Sequence, residues 1–366
     1  MRVLMTADVF GGMWSYALEL ARGLAPAGIE VMLATMGGPV SADKQREARA
    51  IANLELRESA YKVEWMEDPW ADVAAAGAWL LELEREFSPD VIHLNGAVHG
   101  GLGWRAPVVV VAHSCRMAWW RAVKGDAARP AWSRYRREVA MGLLAADVVI
   151  AASHVMLESL SEQYGELARS CVIPHGRDPD LFPAGVKEPY VMSAGRLWDE
   201  AKNLAILDMS AGGIPWPVYV AGNRRHPDGR VASAKYARLL GCLDSRAMAR
   251  WLSEAAIYAL PARYEPFGLS VLEAALAGCA LVLGDIPSLH EVWGDAAIYV
   301  SPDDPRALRR AFMKLIEDPS RRQLLAAWSR SRALSLSRER MSGGYLTLYR
   351  ALAPMKRHSV TRAEMR

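Results

Sequence analysis

Two glutamates with seven residues between them, Glu265 and Glu273 in Tyr264-Glu-Pro-Phe-Gly-Leu-Ser-Val-Leu-Glu273-Ala-Ala, have the types and spacing best suited to chemistry in this chain. The first sits on a loop broken by proline and glycine. The second falls in the first turn of a helix expected from near Ser270 to Gly278. Such a loop brings the backbone around Phe267, Gly268, Leu269 and Ser270 to a helix N-terminus, where unpaired N–H groups and the helix dipole suit an anion, most simply a phosphate. Carboxylates at either end would then accept hydrogen bonds from neutral hydroxyls, which is a layout for a sugar nucleotide. The same letters, Ser270-Val-Leu-Glu273, also spell a capping box, in which Glu273 merely returns a hydrogen bond to the cap residue.

A second element lies upstream, in Val191-Met-Ser-Ala-Gly195-Arg196-Leu-Trp-Asp-Glu-Ala-Lys202-Asn203. An apolar strand ends at a glycine, an arginine follows at once, and a lysine comes six residues later at the mouth of the next helix. One planar fork and one point charge at a strand's C-terminal end match the bidentate and monodentate oxygens of a diphosphate. Read alone, the two are an ordinary solvated pair.

With the segment Gly284-Asp-Ile-Pro-Ser-Leu-His-Glu291-Val-Trp-Gly-Asp-Ala-Ala-Ile-Tyr-Val-Ser-Pro-Asp-Asp304, these motifs fall in an order that resembles the retaining glycosyltransferases of family four. The resemblance implies the GT-B architecture, two Rossmann-like parallel-sheet α/β domains facing each other across a cleft. It implies transfer of a sugar, with retention and without a metal or other cofactor, from a nucleoside-diphosphate sugar to an acceptor hydroxyl. In that scheme Arg196 and Lys202 hold the leaving diphosphate with the amides of Gly268, Leu269 and Ser270. Glu273 takes the ribose hydroxyls and Glu265 the hydroxyls of the transferred sugar. Backbone around Gly241 and Leu243 would face the base.

The elements that must position these residues are legible as short β-branched runs alternating with helical patterns, the signature of parallel sheets. Strands are expected around 2–7, 29–35, 91–94, 107–112, 147–151 and 171–173, then 190–194, 217–221, 257–260, 280–283 and 297–300. The helices between them include 15–24, 73–87, 132–144 and 305–317. Domains of residues 1–175 and 176–334 follow, joined through the Pro/Gly-rich run Ile173–Pro183. A last helix near 335–352 is expected to return to the first domain, as the resemblance implies, and the charged tail 354–366 to be disordered.

In the first half, Asp8-Val-Phe-Gly11-Gly12-Met-Trp14 is a double-glycine turn into a helix, which lets backbone approach a ligand. It lacks the Gly-x-Gly-x-x-Gly fingerprint of dinucleotide-binding dehydrogenases. The resemblance places Gly11 and Gly12 beside donor phosphate and acceptor. It also favours His113, at the end of the apolar strand Val108–Ala112, over His93 and His99 as the residue facing the transferring sugar. Trp14, Asn95 and Trp119 are expected beside the acceptor, and Trp65, Trp70 and Trp104 belong to tryptophan-rich segments suited to stacking on sugar rings. Two departures stand out. His175-Gly176-Arg177-Asp178 replaces the family's common Asn-Gly-x-Asp, and Asp178-Pro-Asp180 matches a metal-binding Asp-x-Asp by accident.

Composition sets the outer bounds. The 366 residues exceed one typical core, and 52% hydrophobic with 23% charged residues describe a soluble globular chain. A net charge of +3 is too mild for nucleic acid, though a weak peripheral contact with anionic membranes is compatible, with Arg129 to Arg137 as the densest basic stretch. Four scattered cysteines make neither a zinc site nor a disulfide framework, which fits a cytoplasmic enzyme. No apolar run approaches the ~20 residues that span a bilayer. The acceptor, whether a sugar, a lipid-linked sugar or a small molecule, has no readable code. An inactive nucleotide-sugar binding protein and a GT-B epimerase are the competing readings.

Overall fold

The structure, a computed structural model, describes residues 1–125, 132–226 and 229–355. The tail from 356 on and Arg129 lie outside these residues. Seven strands form the first sheet: β1 Arg2–Asp8, β2 Glu30–Met36, β3 Leu54–Glu58, β4 Val91–Leu94, β5 Val108–Ala112, β6 Val148–Ala151 and β7 Ser170–Val172. Six form the second: β8 Glu188–Ala194, β9 Val218–Ala221, β10 Arg238–Gly241, β11 Ala255–Leu260, β12 Ala280–Gly284 and β13 Ile298–Val300. The helices of the first half are α1 Gly11–Leu24, α2 Ala42–Arg49, α3 Trp70–Phe87, α4 Arg116–Lys124, α5 Ser133–Ala145 and α6 His154–Tyr164. Those that follow are α7 Leu204–Ala211, α8 Ser245–Glu254, α9 Leu269–Leu276, α10 Pro287–Trp293, α11 Pro305–Glu317, α12 Pro319–Leu334 and α13 Arg338–Leu352.

The strand orders are β3-β2-β1-β4-β5-β6-β7 and β10-β9-β8-β11-β12-β13. All the pairings between these thirteen strands are parallel, as in Val3↔Val31 of β1 and β2 and Val191↔Val218 of β8 and β9. Parallel sheets need helices on both faces, which is why β5 and β11 are apolar and buried along their whole length. In each sheet the order reverses beside the first strand, between β1 and β4 and between β8 and β11. At such switch points the strand ends leave a crevice for a ligand.

The reading from sequence misses β3 and β10. Both are sheet edges, with alternating or charged residues in place of an apolar run. It also places the α9 boundaries wrongly: the helix is Leu269–Leu276, and it starts directly after Gly268 at φ +89. Ser270 is therefore inside the helix, Glu273 lies in its second turn, and no capping box forms.

The chain crosses between the halves twice, side by side. Arg177 N donates to Leu336 O at 3.1 Å and Arg338 N to Arg177 O at 3.2 Å. Gly176 has no alternative here, because a Cβ on it would stand 2.1 Å from Ser337 O. After the second crossing α13 packs on α1, burying Met341, Tyr345, Tyr349 and Leu352 in the core of the first half. No helix among the described residues is long and apolar enough to cross a membrane.

Candidate active site

The donor side starts where β8 and β9 end. Gly195 and Gly222 are packed so closely that a Cβ on Gly222, at φ +139, would lie 1.7 Å from Gly195 O. Arg196 follows, and its Nη2 donates to Asp199 Oδ2 at 2.8 Å. Asp199 Oδ1 accepts from Ala201 N at 3.0 Å and from Trp119 Nε1 of the opposite half at 2.9 Å. Burial works against the Asp199 charge, but Arg196, then Lys202 and these hydrogen bonds, hold its carboxyl below the usual range. Asn203, at φ +61, anchors the end of this turn by donating to Pro261 O and Pro302 O. The turn carries Lys202 to Glu265, and the two side chains form an ion pair.

Glu265 is steadied from behind, since its carbonyl accepts from Ser288 Oγ at 2.6 Å. Three residues on, no side chain caps the first amides of α9, so they remain the dipole-positive donors an anion needs. Tyr258 locks this helix start to the end of β8. Its hydroxyl donates to Ser270 Oγ at 2.7 Å and accepts from Ala194 N at 3.2 Å. Sequence reasoning did not find Tyr258. Its one signal is a polar ring in an otherwise apolar strand. Gly241, at φ +74, ends edge strand β10 and accepts from Gly222 N at 2.7 Å, which brings it to the floor of the same crevice. Leu243 is partly buried against the core of this half. The ring of Phe267 is only 3% exposed and packs edge-on to His175, so this side chain supports the loop and does not face a ligand.

On the opposite side β1 delivers Asp8, whose Oδ1 accepts from Phe10 N at 2.9 Å. Burial pushes the Asp8 carboxyl up to about 6, against the Phe10 amide, Arg196 and Lys44. Gly11, at φ +56, and Gly12 then bring the α1 terminus against the donor half. Cβ atoms there would lie 3.7 Å from Arg196 Nη1 and 2.9 Å from Leu269 Cδ1 respectively.

His113 donates Nε2–H to Asn95 Oδ1 at 2.8 Å, and His93 does the same at 3.1 Å, because an amide oxygen only accepts. Asn95 in turn donates to Thr6 O at 2.7 Å, and Tyr349 donates to His93 Nδ1 at 2.5 Å. His113 is thereby fixed as a neutral ring with Nδ1 left as its acceptor. It stacks on His175 at 5.2 Å, with Tyr16 edge-on at 4.7 Å. Burial holds all three histidines neutral: His175 is pulled down to about 3, His93 to about 4 and His113 well below its ordinary value, the last helped by His175 and His93.

Three of the expected acceptor residues have other employment. Trp14 is 2% exposed, sits in the core and donates to Glu47, so it does not reach the cleft. Asn95 is buried behind His113 and uses its amide to orient the ring. Trp119 spends its indole N–H on Asp199 and acts as a strut across the cleft. Trp104 is a core residue bonded to His99 O, and Trp70 lies under Arg134. His99 is buried with Nε2 at 3.0 Å from Val73 O, away from the crevice.

The halves meet through further paired contacts. Glu291 accepts from His154 N at 2.7 Å and Val155 N at 2.9 Å, capping α6 from the other side. Cys115 N donates to Tyr264 OH at 2.7 Å and Ser153 Oγ to Pro266 O at 2.9 Å. Asp178 accepts from Asp180 N and pairs with Arg338 at 2.9 Å, so the Asp-x-Asp match belongs to the crossover. No group of three or more metal-ligating side chains occurs among the described residues.

Two facing Rossmann-like sheets, with basic residues and a helix N-terminus at their common crevice, define a GT-B glycosyltransferase. The sequence agrees: "Glycosyltransferase Family 4" matches residues 10–181 and "Glycosyl transferases group 1" residues 188–318, and the chain belongs to the family-four glycosyltransferases. It is 27% identical to a glycogen synthase of Mycobacterium tuberculosis, over 92% of this chain and 91% of that one. It is 26% identical to a D-inositol 3-phosphate glycosyltransferase of Xylanimonas cellulosilytica, over 93% and 91%. Among solved structures, sucrose-phosphate synthase from Thermosynechococcus elongatus superposes with a TM-score of 0.80 at 19% identity, covering 97% of this chain and 100% of that one. HepE of Anabaena, solved in complex with UDP-glucose, gives 0.75 at 17% identity over 96% and 100%.

Proposed function

We propose that this glycosyltransferase moves a sugar from a nucleoside-diphosphate sugar to an acceptor hydroxyl, with retention of anomeric configuration and without a metal ion. The observation that carries the reading is the convergence of Arg196, Lys202 and the uncapped start of α9 on one point beside Glu265. The acceptor oxygen forms a bond to the anomeric carbon, the bond from that carbon to the diphosphate breaks, and the acceptor's proton leaves with the departing phosphate. Negative charge grows on the leaving group, and two cations with preorganised amides supply the stabilisation a metal would otherwise give. Glu265 holds sugar hydroxyls, Glu273 the ribose, and His113 accepts a sugar hydroxyl at Nδ1. Gly11 and Gly12 leave room for donor and acceptor to meet. The solved relatives bound to UDP or UDP-glucose make uridine diphosphate the first donor nucleotide to try.

Calorimetric titration of uridine, guanosine and adenosine diphosphates into wild type and Arg196→Ala, with a chelator present, tests the site. Tight binding of one nucleotide, weakened about a hundredfold or more in the variant, is expected. No binding, an unaffected variant, or an absolute need for divalent metal would overturn the assignment. Turnover of the matching sugar nucleotide with and without sugar acceptors then separates transfer from epimerase-type release of free sugar.

A further inference from the structure

The crossover residue Arg177 occupies the unspecified position of the altered hinge motif and has no part in the chemistry above. We propose that Arg177 is a positioning residue for Glu273: it holds one carboxylate oxygen so that the other faces the donor's ribose, and ties that geometry to α1 of the opposite half. The inference rests on the donor-site reading above.

Arg177 is 6% exposed, and its guanidinium bridges two carboxylates. Nη2 lies 2.7 Å from Glu273 Oε1, and Nη1 lies 3.3 Å from Glu19 Oε2. The two partners stand in different positions. Glu19, fully buried on α1, also accepts from Asp178 N at 2.8 Å and has Arg22 at 3.7 Å and Arg338 at 3.8 Å. Glu273 has Arg177 as its only ionic partner among the described residues, and no protein donor there engages its Oε2. Removing Arg177 therefore leaves Glu19 provided for and Glu273 unguided.

The arginine is well placed to guide. Its backbone is fastened on both sides by the second crossover, and Gly176 before it is pressed against Ser337. Only a planar fork spans two carboxylates at fixed angles. A lysine would keep the charge and lose the direction. A buried arginine shared between α1 and α9 also means that a change in the angle between the halves must change what Glu273 feels.

The test uses uridine and guanosine diphosphates and their 2′,3′-dideoxy analogues, titrated by calorimetry into the full chain as wild type, Arg177→Met and Arg177→Lys. Wild type should prefer the ribonucleotide by about tenfold or more, the worth of a hydrogen bond to a charged group. In Arg177→Met this preference should collapse toward unity while affinity for the dideoxy analogue changes less than about threefold. Arg177→Lys should fall between, and it decides the matter if the methionine variant does not fold. An undiminished preference in the variants overturns the role of Arg177 and leaves the donor site standing. An equal loss for both nucleotides also overturns it, by showing a structural part only. Tight wild-type binding without any ribose preference defeats the assignment of Glu273 to the ribose, and this inference with it. Failure of every diphosphate to bind wild type refutes both.

Discussion

Lowering the pH from 7 to 5 should cost this protein several kcal/mol of stability through three histidines it keeps neutral at the cleft. His93, His113 and His175 are each pulled below the ordinary value of 6.5, His93 to about 4 and His175 to about 3, with burial the first cause in every case. The unfolded chain therefore binds more protons than the folded one from pH ~6.5 down to ~4, and stability falls as pH falls through that window. Between pH 7 and 5 His93 and His175 are each worth about 2 kcal/mol, together about 4 kcal/mol, and His113 acts in the same direction. Asp8 works the other way. Its folded value of about 6 lies above the ordinary 3.8, so it takes up its proton earlier when folded and returns about 1 kcal/mol over the same interval. Glu19 and Glu64, also raised by burial, act in the same direction as Asp8. His93, His175 and Asp8 together leave a net loss of about 3 kcal/mol.

Urea unfolding followed by tryptophan fluorescence at pH 7, 6 and 5 measures this directly. The His175→Phe variant isolates one contribution. His175 Nδ1 has no hydrogen-bond partner, and the ring is enclosed by Tyr16, His113 and Phe267, so phenylalanine forfeits no bond and keeps the aromatic contacts. Its loss between pH 7 and 5 should be smaller than that of wild type by about 2 kcal/mol. Stability that stays within about 1 kcal/mol over the interval, or a variant with the wild-type slope, would refute the reasoning.

Gly222→Ala should cost about 3 kcal/mol or more, because its Cβ would stand 1.7 Å from the Gly195 carbonyl at a φ of +139. Relief of that clash must displace Gly195 and Arg196, so thermal melting and nucleotide affinity should drop together. Asp8→Asn should raise stability at pH 8 by about 2–3 kcal/mol and change it little at pH 4, since the cost of the buried carboxylate builds up between pH ~4 and ~6 and is complete above that window. Urea titrations at the two pH values check it, and a loss at pH 8 would mean that Arg196 and Lys44 need the charge more than burial opposes it.

Which parts of the molecule were legible follows from what each part buries. Central strands such as β5, Val108 to Ala112, are apolar on both faces and announce themselves. The edge strands β3 and β10 do not, because half their surface meets water and their residues need not be hydrophobic. The same asymmetry runs through the site. Arg196, Lys202 and Glu265 sit in fixed local motifs and come together across the ends of β8 and β11. Asp199, Tyr258 and Arg177 act through partners 3, 12 and 96 positions away in the chain, and no spacing rule encodes those distances. Trp14 misled for the opposite reason. It lies beside the double-glycine turn in sequence, but Gly12 and Trp14, the second and fourth residues of α1, point to opposite sides of the helix, and its side takes Trp14 into the core.

The cleft is electrically matched: Lys202 pairs with Glu265, Arg196 with Asp199 and Arg177 with Glu273. Such matching spares the folded chain the cost of burying unpaired charge, but it raises the question of what favours an anion at all. Asp199 is pinned by Ala201 and Trp119, so Arg196 keeps it. A guanidinium carries five N–H donors and spends one here, which leaves others for phosphate oxygens without any bond being broken. The surplus positive potential then comes from a group with no counter-charge, the uncapped start of α9, whose dipole points into the crevice. Asp8 beside Arg196 adds no positive charge, but its carboxyl, pushed up to about 6 by burial, opposes an anion less as pH falls through that value. Both meet the Gly11–Gly12 turn, and there the backbone comes near enough for an anion to feel all of them together.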